Sequence, residues 1–198
     1  ISEQVTGITG QPSSTDDTEP AFDKSIGNAF DGDYSTFWAT VPGGTLVDAY
    51  LIADLGSTCT VNKVAYTKRY DSTARYNCTG NLLDYIIEVS TDGENWTQVA
   101  AGDTIDGTTV ITFEPVQATH VRLTATRSHH WNDAMANTVM TVAELEVFEY
   151  IVPVLEPDDD SRDIPLSAVE VSTGDYEKNG MQYSEGPAEF AVDDDPNS

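Results

Sequence analysis

The sequence predicts an all-β protein, a sandwich of antiparallel strands, on three observations. Runs of four to seven residues rich in β-branched and aromatic side chains recur through residues 1–150. Several of these runs alternate apolar with polar residues, as half-buried antiparallel strands do, and glycine-containing turns separate them. No segment of helical length carries a 3.6-residue period, so the pattern excludes helical and α/β folds.

Six segments carry the strand pattern. The first three, YLIADL at 50–55, NKVAYTK at 62–68 and YIIEVS at 85–90, are rich in β-branched and aromatic residues. VITF at 110–113 is a short apolar run. In HVRLTAT at 120–126 and AELEVF at 143–148, apolar residues alternate with polar or charged ones, which predicts one buried face and one solvated face. Turns with Asp-Gly or Pro-Gly-Gly divide the strands at 31–33, 42–44, 92–95 and 106–107.

The charge of the chain limits its partners. It carries 34 Asp plus Glu against 9 Lys plus Arg, a net charge of −25, whereas nucleic acids and anionic membrane surfaces select basic patches. No apolar stretch reaches the roughly 20 residues of a membrane-spanning helix. We therefore expect neither nucleic-acid binding nor membrane association. The chain opens at Ile1 without a signal-peptide pattern, so we interpret it as part of a longer extracellular protein, secreted or at a cell surface.

A linker is predicted after residue 150. Residues 151–163, IVPVLEPDDDSRD, combine two prolines with an acidic run, which is typical of a solvated linker. Beyond it, AVDDDPNS at 191–198 aligns without gaps with AFDGDYST at 29–36. We therefore predict a first domain at 1–150, a linker at 151–163, and the truncated start of a second, similar domain at 164–198.

The two cysteines, Cys59 and Cys78, are expected to stay unpaired. A predicted strand of about seven residues lies between them, which separates them by roughly 20 Å at about 3.3 Å per residue. A disulfide needs Cα atoms within about 7 Å. Pairing would require the loop that carries Cys78 to double back along the strand.

A tight acidic turn is the first candidate site. The segment Asp31-Gly32-Asp33, followed by Thr36, can direct two carboxylates, a hydroxyl and backbone carbonyls at one point, and such hard oxygen donors suit calcium. The alternative is an acidic surface turn that holds no ion. An EF-hand is excluded, because its sixth position would be Thr36 instead of glycine and its twelfth Pro42 instead of glutamate.

Two polar loops form the second candidate site. One opens at Arg69 and continues to residue 81, and the other spans 128–137. A sugar site needs an aromatic platform for the apolar C–H face and a few fixed polar groups for the hydroxyls. Trp131 suits the platform, although it is alternatively a loop aromatic packed on the sandwich edge. The predicted ligand-binding residues of the two loops are Arg69, Asn77, His130, Trp131 and Asn132.

The order of these motifs resembles that of a known family, the discoidin domain, also called the coagulation factor V/VIII C-type domain. Its bacterial branch is the family 32 carbohydrate-binding modules. The resemblance spans about residues 20–150. The motifs that carry it are AFDGDYSTFW at 29–38, LIADLG at 51–56, NKVAY at 62–66, Arg69, DYIIEVSTDGENW at 84–96, ATHVRLTATR at 118–127 and AELEVFEY at 143–150.

The resemblance implies an antiparallel, jelly-roll-like β-sandwich with a galactose-binding-like fold, a structural calcium ion, and a ligand site in loops at one end. It implies that Glu144, in the final "AE-apolar" pattern, completes the calcium site of Asp31, Asp33 and Thr36. Galactose-binding members often use a histidine shortly after the early tryptophan. This chain reads ATVP at 39–42, directly after Trp38, with no histidine, which puts galactose specificity in question unless His130 replaces it.

The function that follows from these residues and this resemblance is a non-catalytic carbohydrate-binding module. It would target a secreted glycoside hydrolase or a surface protein to galactose- or N-acetylgalactosamine-type glycans. The alternative is a discoidin-type adhesion domain for a protein or phospholipid. Phospholipid-binding versions need apolar spikes with basic residues, and few basic residues are present. An intrinsic enzyme comes third, because no sequence feature selects a catalytic pair or triad.

Overall fold

The computed structural model describes residues 1–18, 23–43, 46, 49–70, 79–130, 136–152, 176–178 and 181–183. Within these residues the chain forms eleven β-strands and a single-turn 3-10 helix, Ile26–Ala29, and no α-helix. In chain order the strands are β1 (Ser2–Gln4), β2 (Thr9–Pro12), β3 (Trp38–Ala39), β4 (Tyr50–Thr67), β5 (Leu82–Ser90), β6 (Thr97–Asp103), β7 (Thr108–Ser128), β8 (Thr141–Val142), β9 (Glu144–Tyr150), β10 (Tyr176–Lys178) and β11 (Met181–Tyr183).

The strands pair antiparallel throughout the described residues. The largest sheet has the order β1-β9-β4-β7-β5-β6, with β2 also beside β4, and β3 pairs with β8 in a two-stranded sheet. This arrangement confirms the predicted all-β class, a jelly-roll-like sandwich of antiparallel strands.

Two long strands, β4 and β7, each contribute to both layers of the sandwich. The first part of β4, up to Asp54, pairs with β2 and the late part of β7, and its second part, from Cys59, pairs with β9 and the early part of β7. The register shifts between Asp54 and Cys59, around exposed Gly56 at φ +72°. The prediction of separate strands at 50–55 and 62–68, and at 110–113 and 120–126, was therefore wrong, because each pair is one strand with an irregular corner.

The core lies between the layers and uses the predicted inward faces. In β7, Val121, Leu123 and Ala125 are buried, and in β9 Leu145 and Val147 are buried. The largest side chains with less than 2% exposure are Trp38, Tyr66, Leu51, Leu82, Ile87, Leu123, Met140, Leu145, Val61, Val64, Val121 and Val142. Burial of these groups is the main favourable term in folding.

The sequence predicts that both Trp38 and Trp96 lie in the core, and the structure places only one of them there. Trp38 is fully buried, as expected. Trp96 is only half-buried and lies on the outer face of the large sheet, where the guanidinium of Arg122 stands 4.2 Å from its ring and His120 contacts it edge-on. Its assignment to the core was therefore wrong: a cation–π stack, and not apolar burial, accounts for it.

Several chain segments meet at one end of the sandwich, which we call the loop end. Here the last residue of β4, Thr67, pairs with the first residues of β7 and β9, and Leu82, the first residue of β5, pairs with Ser128, the last of β7. The hydroxyl of buried Tyr66 ties these groups together, since it accepts the N–H of Leu82 (3.0 Å) and donates to the carbonyl of Thr141 (3.2 Å).

The two ends of the domain lie side by side at the other end of the sandwich. Strand β1 pairs with β9 so that Ser2 faces Tyr150. The N–H of Ile151 donates to the carbonyl of Ile1 at 2.8 Å. Tyr150 is at the far end of β9 from Glu144, which pairs with Thr67 at the loop end.

The chain divides into two compact units, Ile1–Pro153 and Val154–Ser198. In the second unit the described residues form an antiparallel hairpin of β10 and β11. Most of the predicted linker at 151–163 and the repeat at 191–198 lie outside the described residues, so the truncated second copy stays a prediction. Cys59 is a buried free thiol, and Cys78 lies outside the described residues.

Candidate functional site

The acidic turn at 31–36 contacts the first residue of β9. Gly32, at φ +77°, directs its N–H at the Glu144 carboxylate, with the nitrogen 2.6 Å from Oε1. The hydroxyl of Thr36 donates to Asp31 Oδ2 at 3.0 Å. The structure therefore brings three of the four predicted metal ligands together: Asp31, Thr36 and Glu144.

The fourth predicted ligand points elsewhere. The Asp33 carboxylate accepts the N–H and the hydroxyl of Ser35, at 2.9 and 2.6 Å, and these bonds lower the pKa of Asp33 below its usual value. The backbone carbonyl of Asp33 accepts the Thr36 hydroxyl at 2.9 Å. Asp33 thus shapes the turn with its side chain.

Glu144 is an unusually placed acid. Its residue surface is only 2% exposed, and burial raises its pKa to about 7. The hydrogen bond that protonated Glu144 donates to Asp31 and the charges of Asp31 and Glu146 raise the pKa further, while the N–H of Gly32 partly offsets this. The charge of Glu146 also raises the pKa of Tyr34, and burial and the charge of Glu144 add to this effect. Glu144 is buried and Asp31 is exposed, and two neighbouring carboxylates of which one is buried favour a proton or a cation between them.

The donor set fits calcium by its chemistry. Asp31 and Glu144 offer hard carboxylate oxygens, the turn adds a hydroxyl and carbonyls, and a cavity of about 230 Å³ lined in part by Asp31, Gly32 and Glu144 opens beside them. Across the described part of the chain, no three acidic, histidine or cysteine side chains gather around one point. An ion here would therefore depend on backbone oxygens and water for most of its coordination.

At the loop end, Arg69 is held by its backbone and by its side chain. Its N–H donates to Asn81 Oδ1 at 2.8 Å and its carbonyl accepts Asn81 Nδ2 at 3.1 Å. Its guanidinium lies 4.0 Å from the centre of the Phe37 ring, a cation–π contact. The sequence reasoning missed the roles of Phe37 and Asn81, because residues 12 and 32 positions away from Arg69 meet it only in the folded chain.

The two predicted ligand loops start from paired backbone. The N–H of Gly80 donates to the carbonyl of His129 at 2.7 Å, and the N–H of His129 donates to the carbonyl of Asn81 at 2.8 Å. The described ends of the loops at 69–81 and 128–137 therefore lie next to each other. His130 is buried, 8% exposed. Asn77, Trp131 and Asn132 lie outside the described residues.

Exposed apolar side chains also occur at the loop end. Tyr70, which follows Arg69, is 76% exposed, and Ile105, in the turn between β6 and β7, is 63% exposed. This turn lies beside Arg69, because the N–H of Lys68 donates to the carbonyl of Gly107 at 3.0 Å. The exposure of Tyr70 could have been predicted from the sequence, because the residue lies in a polar loop and not in a predicted strand.

In the part of the chain that the structure describes, no helix has the length and apolar character needed to cross a membrane.

Comparison with known proteins gives a family match. The family model described as F5/8 type C domain matches residues 11–140. One similar solved structure is a family 32 carbohydrate-binding module from a family 31 glycoside hydrolase of Clostridium perfringens. It has a TM-score of 0.63 and 23% identity, and the alignment covers 75% of this chain and 95% of that chain.

Two further solved structures have ligands in their descriptions. The family 32 module of Clostridium perfringens NanJ, in complex with galactose, has a TM-score of 0.57 and 22% identity, over 75% of this chain and all (100%) of that chain. The chitosan-binding module 1 of a chitosanase/glucanase from Paenibacillus sp. IK-5 has a TM-score of 0.53 and 27% identity, over 73% of this chain and 96% of that chain.

Proposed function

Because the chain belongs to the F5/8 type C domain family, we propose that residues 1–150 act as a non-catalytic carbohydrate-binding module for galactose- or N-acetylgalactosamine-type glycans. The observation that carries the proposal is the fixed arginine at the loop end. The backbone of Arg69 makes two hydrogen bonds with the side chain of Asn81, and its guanidinium stacks on the ring of Phe37. A guanidinium held in this way can donate to paired sugar hydroxyls at little entropic cost.

The surroundings of Arg69 suit a sugar as well. Tyr70 offers an exposed ring beside it, and Trp131, from the adjacent loop, supplies a second candidate platform. Aromatic rings take the C–H face of a sugar while polar groups take its hydroxyls. Asn77, His130 and Asn132 complete the proposed set.

The relatives support the class of ligand and leave the sugar open. One similar module was solved with galactose and another is described as chitosan-binding. The chain has no histidine shortly after Trp38, where residues 39–42 read ATVP, so we base the galactose-type proposal on Arg69 and Asn77.

We also propose calcium as the structural ion of the turn, with Asp31, Thr36 and Glu144 as ligands and the turn carbonyls, including that of Asp33, completing the shell. The ion would neutralise the Asp31–Glu144 pair. Its contribution in this proposal is stability and shape, and no chemical step is assigned to it.

The proposed setting is extracellular, in a longer protein that carries a glycoside hydrolase or further modules. A module of this kind holds its parent chain near a glycan and so raises the effective concentration of substrate, and further copies would add avidity. Nucleic acid is not a proposed partner, because residues 1–150 hold 21 acids and 7 bases, a net charge of −14 (7 − 21).

The test is a glycan array in calcium buffer, followed by calorimetric titration of the best ligand. We expect a dissociation constant between millimolar and tens of micromolar, roughly −4 to −6 kcal/mol. Arg69→Ala should weaken binding at least about tenfold, or about 1.4 kcal/mol, without lowering the melting temperature substantially. Arg122→Ala is the matched control, since Arg122 also stacks on an aromatic ring but on the outer sheet face.

Two results would contradict the proposal. If Arg69→Ala and Trp131→Ala both bind like the parent, the ligand site lies elsewhere on the domain. If the parent binds no glycan but associates with phosphatidylserine vesicles or with a protein partner, the adhesion function replaces the carbohydrate one.

A further inference from the structure

The acidic turn and the ligand arginine are connected through a single side chain. Thr36 bonds to Asp31 within the turn, and Phe37 follows it directly. The ring of Phe37 lies under the guanidinium of Arg69, 4.0 Å from its centre to the guanidinium carbon. One path between the two candidate sites therefore runs Asp31, Thr36, Phe37, Arg69.

The backbone at Phe37 and after it is fixed. The carbonyl of Phe37 accepts the side-chain amide of buried Asn28 at 3.3 Å. The next residue, Trp38, is fully buried, and its Nε1–H donates to the carbonyl of Ser14 at 3.2 Å. Because Phe37 is anchored on its C-terminal side, a change in the turn on its N-terminal side is taken up at Phe37 itself.

A second connection runs through the sheet. Glu144 pairs with Thr67 across β9 and β4, and the N–H of Ala143 donates to the carbonyl of Thr67 at 3.1 Å. Arg69 is two residues further along the chain. The carboxylate pair is thus joined to Arg69 by two routes, one through Phe37 and the other through the end of β4.

We propose that Phe37 is a positioning residue that couples a cation at Asp31 and Glu144 to ligand binding at Arg69. With a cation between the carboxylates, the turn holds the Phe37 ring under the guanidinium, and Arg69 presents its N–H groups in one orientation. Without it, the ring and the guanidinium sample more than one arrangement. The part that concerns glycans rests on the proposed function.

Coupling between two sites is reciprocal, which makes it measurable from both directions. If calcium raises the affinity for a glycan by some factor, the glycan must raise the affinity for calcium by the same factor. Allosteric couplings are typically 5- to 150-fold, and we expect a factor of about five or more.

The first experiment measures this factor by calorimetry at 15 °C, with circular dichroism to show that the calcium-free protein is folded. The best array glycan is titrated in calcium and in EGTA, and calcium is titrated with and without the glycan. We expect equal factors of about five or more in the parent. Phe37→Leu should reduce both factors to about one while calcium still binds, and Phe37→Tyr should restore them.

The control variant is Phe148→Leu. Phe148 also lies under a cation, Lys63 Nζ, at 3.8 Å, but on β9 away from the turn and Arg69. It should keep the parent coupling. Equal loss of coupling in Phe148→Leu and Phe37→Leu would show that any weakened sandwich uncouples the sites, and would overturn the role given to Phe37.

A second readout needs no glycan. The Nε–H resonance of Arg69, assigned by its loss in Arg69→Lys, should shift during a calcium titration of the parent. It should shift much less in Phe37→Leu. An unchanged Arg69 resonance in calcium-saturated parent protein would overturn the coupling.

The outcomes separate this inference from the proposed function. Glycan binding of equal strength in calcium and EGTA would refute the coupling and leave the carbohydrate function intact. A calcium-dependent Arg69 resonance together with no glycan binding would refute the carbohydrate function and leave the link between the turn and Arg69 standing.

Discussion

Replacing Glu144 by glutamine should stabilise the calcium-free protein and weaken its response to calcium. Glutamine keeps an oxygen for the N–H of Gly32 and supplies an amide N–H toward Asp31, but it carries no charge. The parent must instead ionise Glu144 next to Asp31 in a buried position as the pH rises. The variant therefore removes an unfavourable ionisation together with a calcium ligand.

The magnitude follows from the pKa of Glu144. Its folded value of about 7, against an ordinary 4.5, is a difference of roughly 2.5 units, or about 3 kcal/mol at about 1.4 kcal/mol per unit. Because the pKa of Glu144 is raised in the folded state, its contribution to stability is complete below about pH 4.5 and is lost as the pH rises through about 7. In EGTA at pH 8, the unfolding free energy of Glu144→Gln should thus exceed that of the parent by up to about 3 kcal/mol.

Calcium should reverse part of this difference. At a hundredfold excess over its dissociation constant, an ion that binds only the folded state adds about 2.7 kcal/mol. The parent should gain that amount, and Glu144→Gln should gain much less. The difference in unfolding free energy between the two proteins should therefore become smaller in calcium than in EGTA, or change sign.

Urea unfolding of both proteins at pH 5, 6, 7 and 8, in EGTA and in calcium, provides the measurement. Taking the difference between parent and variant removes the contribution of the other acids. Glu94→Gln makes the same change of charge at an exposed turn position and should follow the parent within about 0.5 kcal/mol. A parent–variant difference in EGTA that stays constant from pH 5 to 8 would refute the raised pKa, and equal stabilisation of both by calcium would place the ion elsewhere.

Three further substitutions test the fold by urea unfolding. Tyr66→Phe removes a buried hydroxyl that bonds two backbone groups and should cost about 1–3 kcal/mol; no loss would mean that water replaces it. Asp16→Ala removes the 2.5 Å ion pair with Lys24 and should cost about 1.5–3 kcal/mol at pH 7. Burial opposes the ionisation of Asp16, but its bonds to Lys24 and a neighbouring threonine outweigh this and lower its pKa, so the cost should shrink as the pH falls below about 4; a cost that does not change with pH contradicts the ion pair. Gly80→Ala combines φ +83° with a Cβ only 2.5 Å from Thr141 Cγ2 and should cost at least about 1 kcal/mol; a neutral result would mean that this backbone relaxes.

The sequence predicted the strands that have one buried face. The alternation in 120–126 and 143–148 survives as the buried residues of β7 and β9. The continuity of β4 and β7 through their corners was not predicted, because Gly56 and Pro115 are residue types that usually interrupt a strand. The short strands β1, β2 and β6 were also missed, since their residues are mostly polar or small and partly exposed and gain their pairing from neighbours distant in sequence.

In the candidate site, too, the local features could be predicted from the sequence and the tertiary contacts could not. The turn at 31–36 is local, so its residue types predict a cluster of oxygens without knowledge of the fold. Glu144 joined it only through the family resemblance, because 108 positions separate it from Thr36 (144 − 36). The stack of Arg69 on Phe37 is a tertiary contact for which neither residue carries a local signal.

The hydrogen bond between Ile1 and Ile151 has a mechanical meaning. Because the chain enters and leaves the domain on neighbouring strands, which lie about 5 Å apart, a host protein could accept the whole domain within one surface loop while opening that loop hardly at all. Force applied through the two ends would peel β1 from β9 one hydrogen bond after another, and would not load all the bonds of the sheet at once. The domain should therefore yield at low force under tension, like a zipper opened from its end, with Arg69 and the acidic turn at the far end of β9 among the last parts to lose their structure.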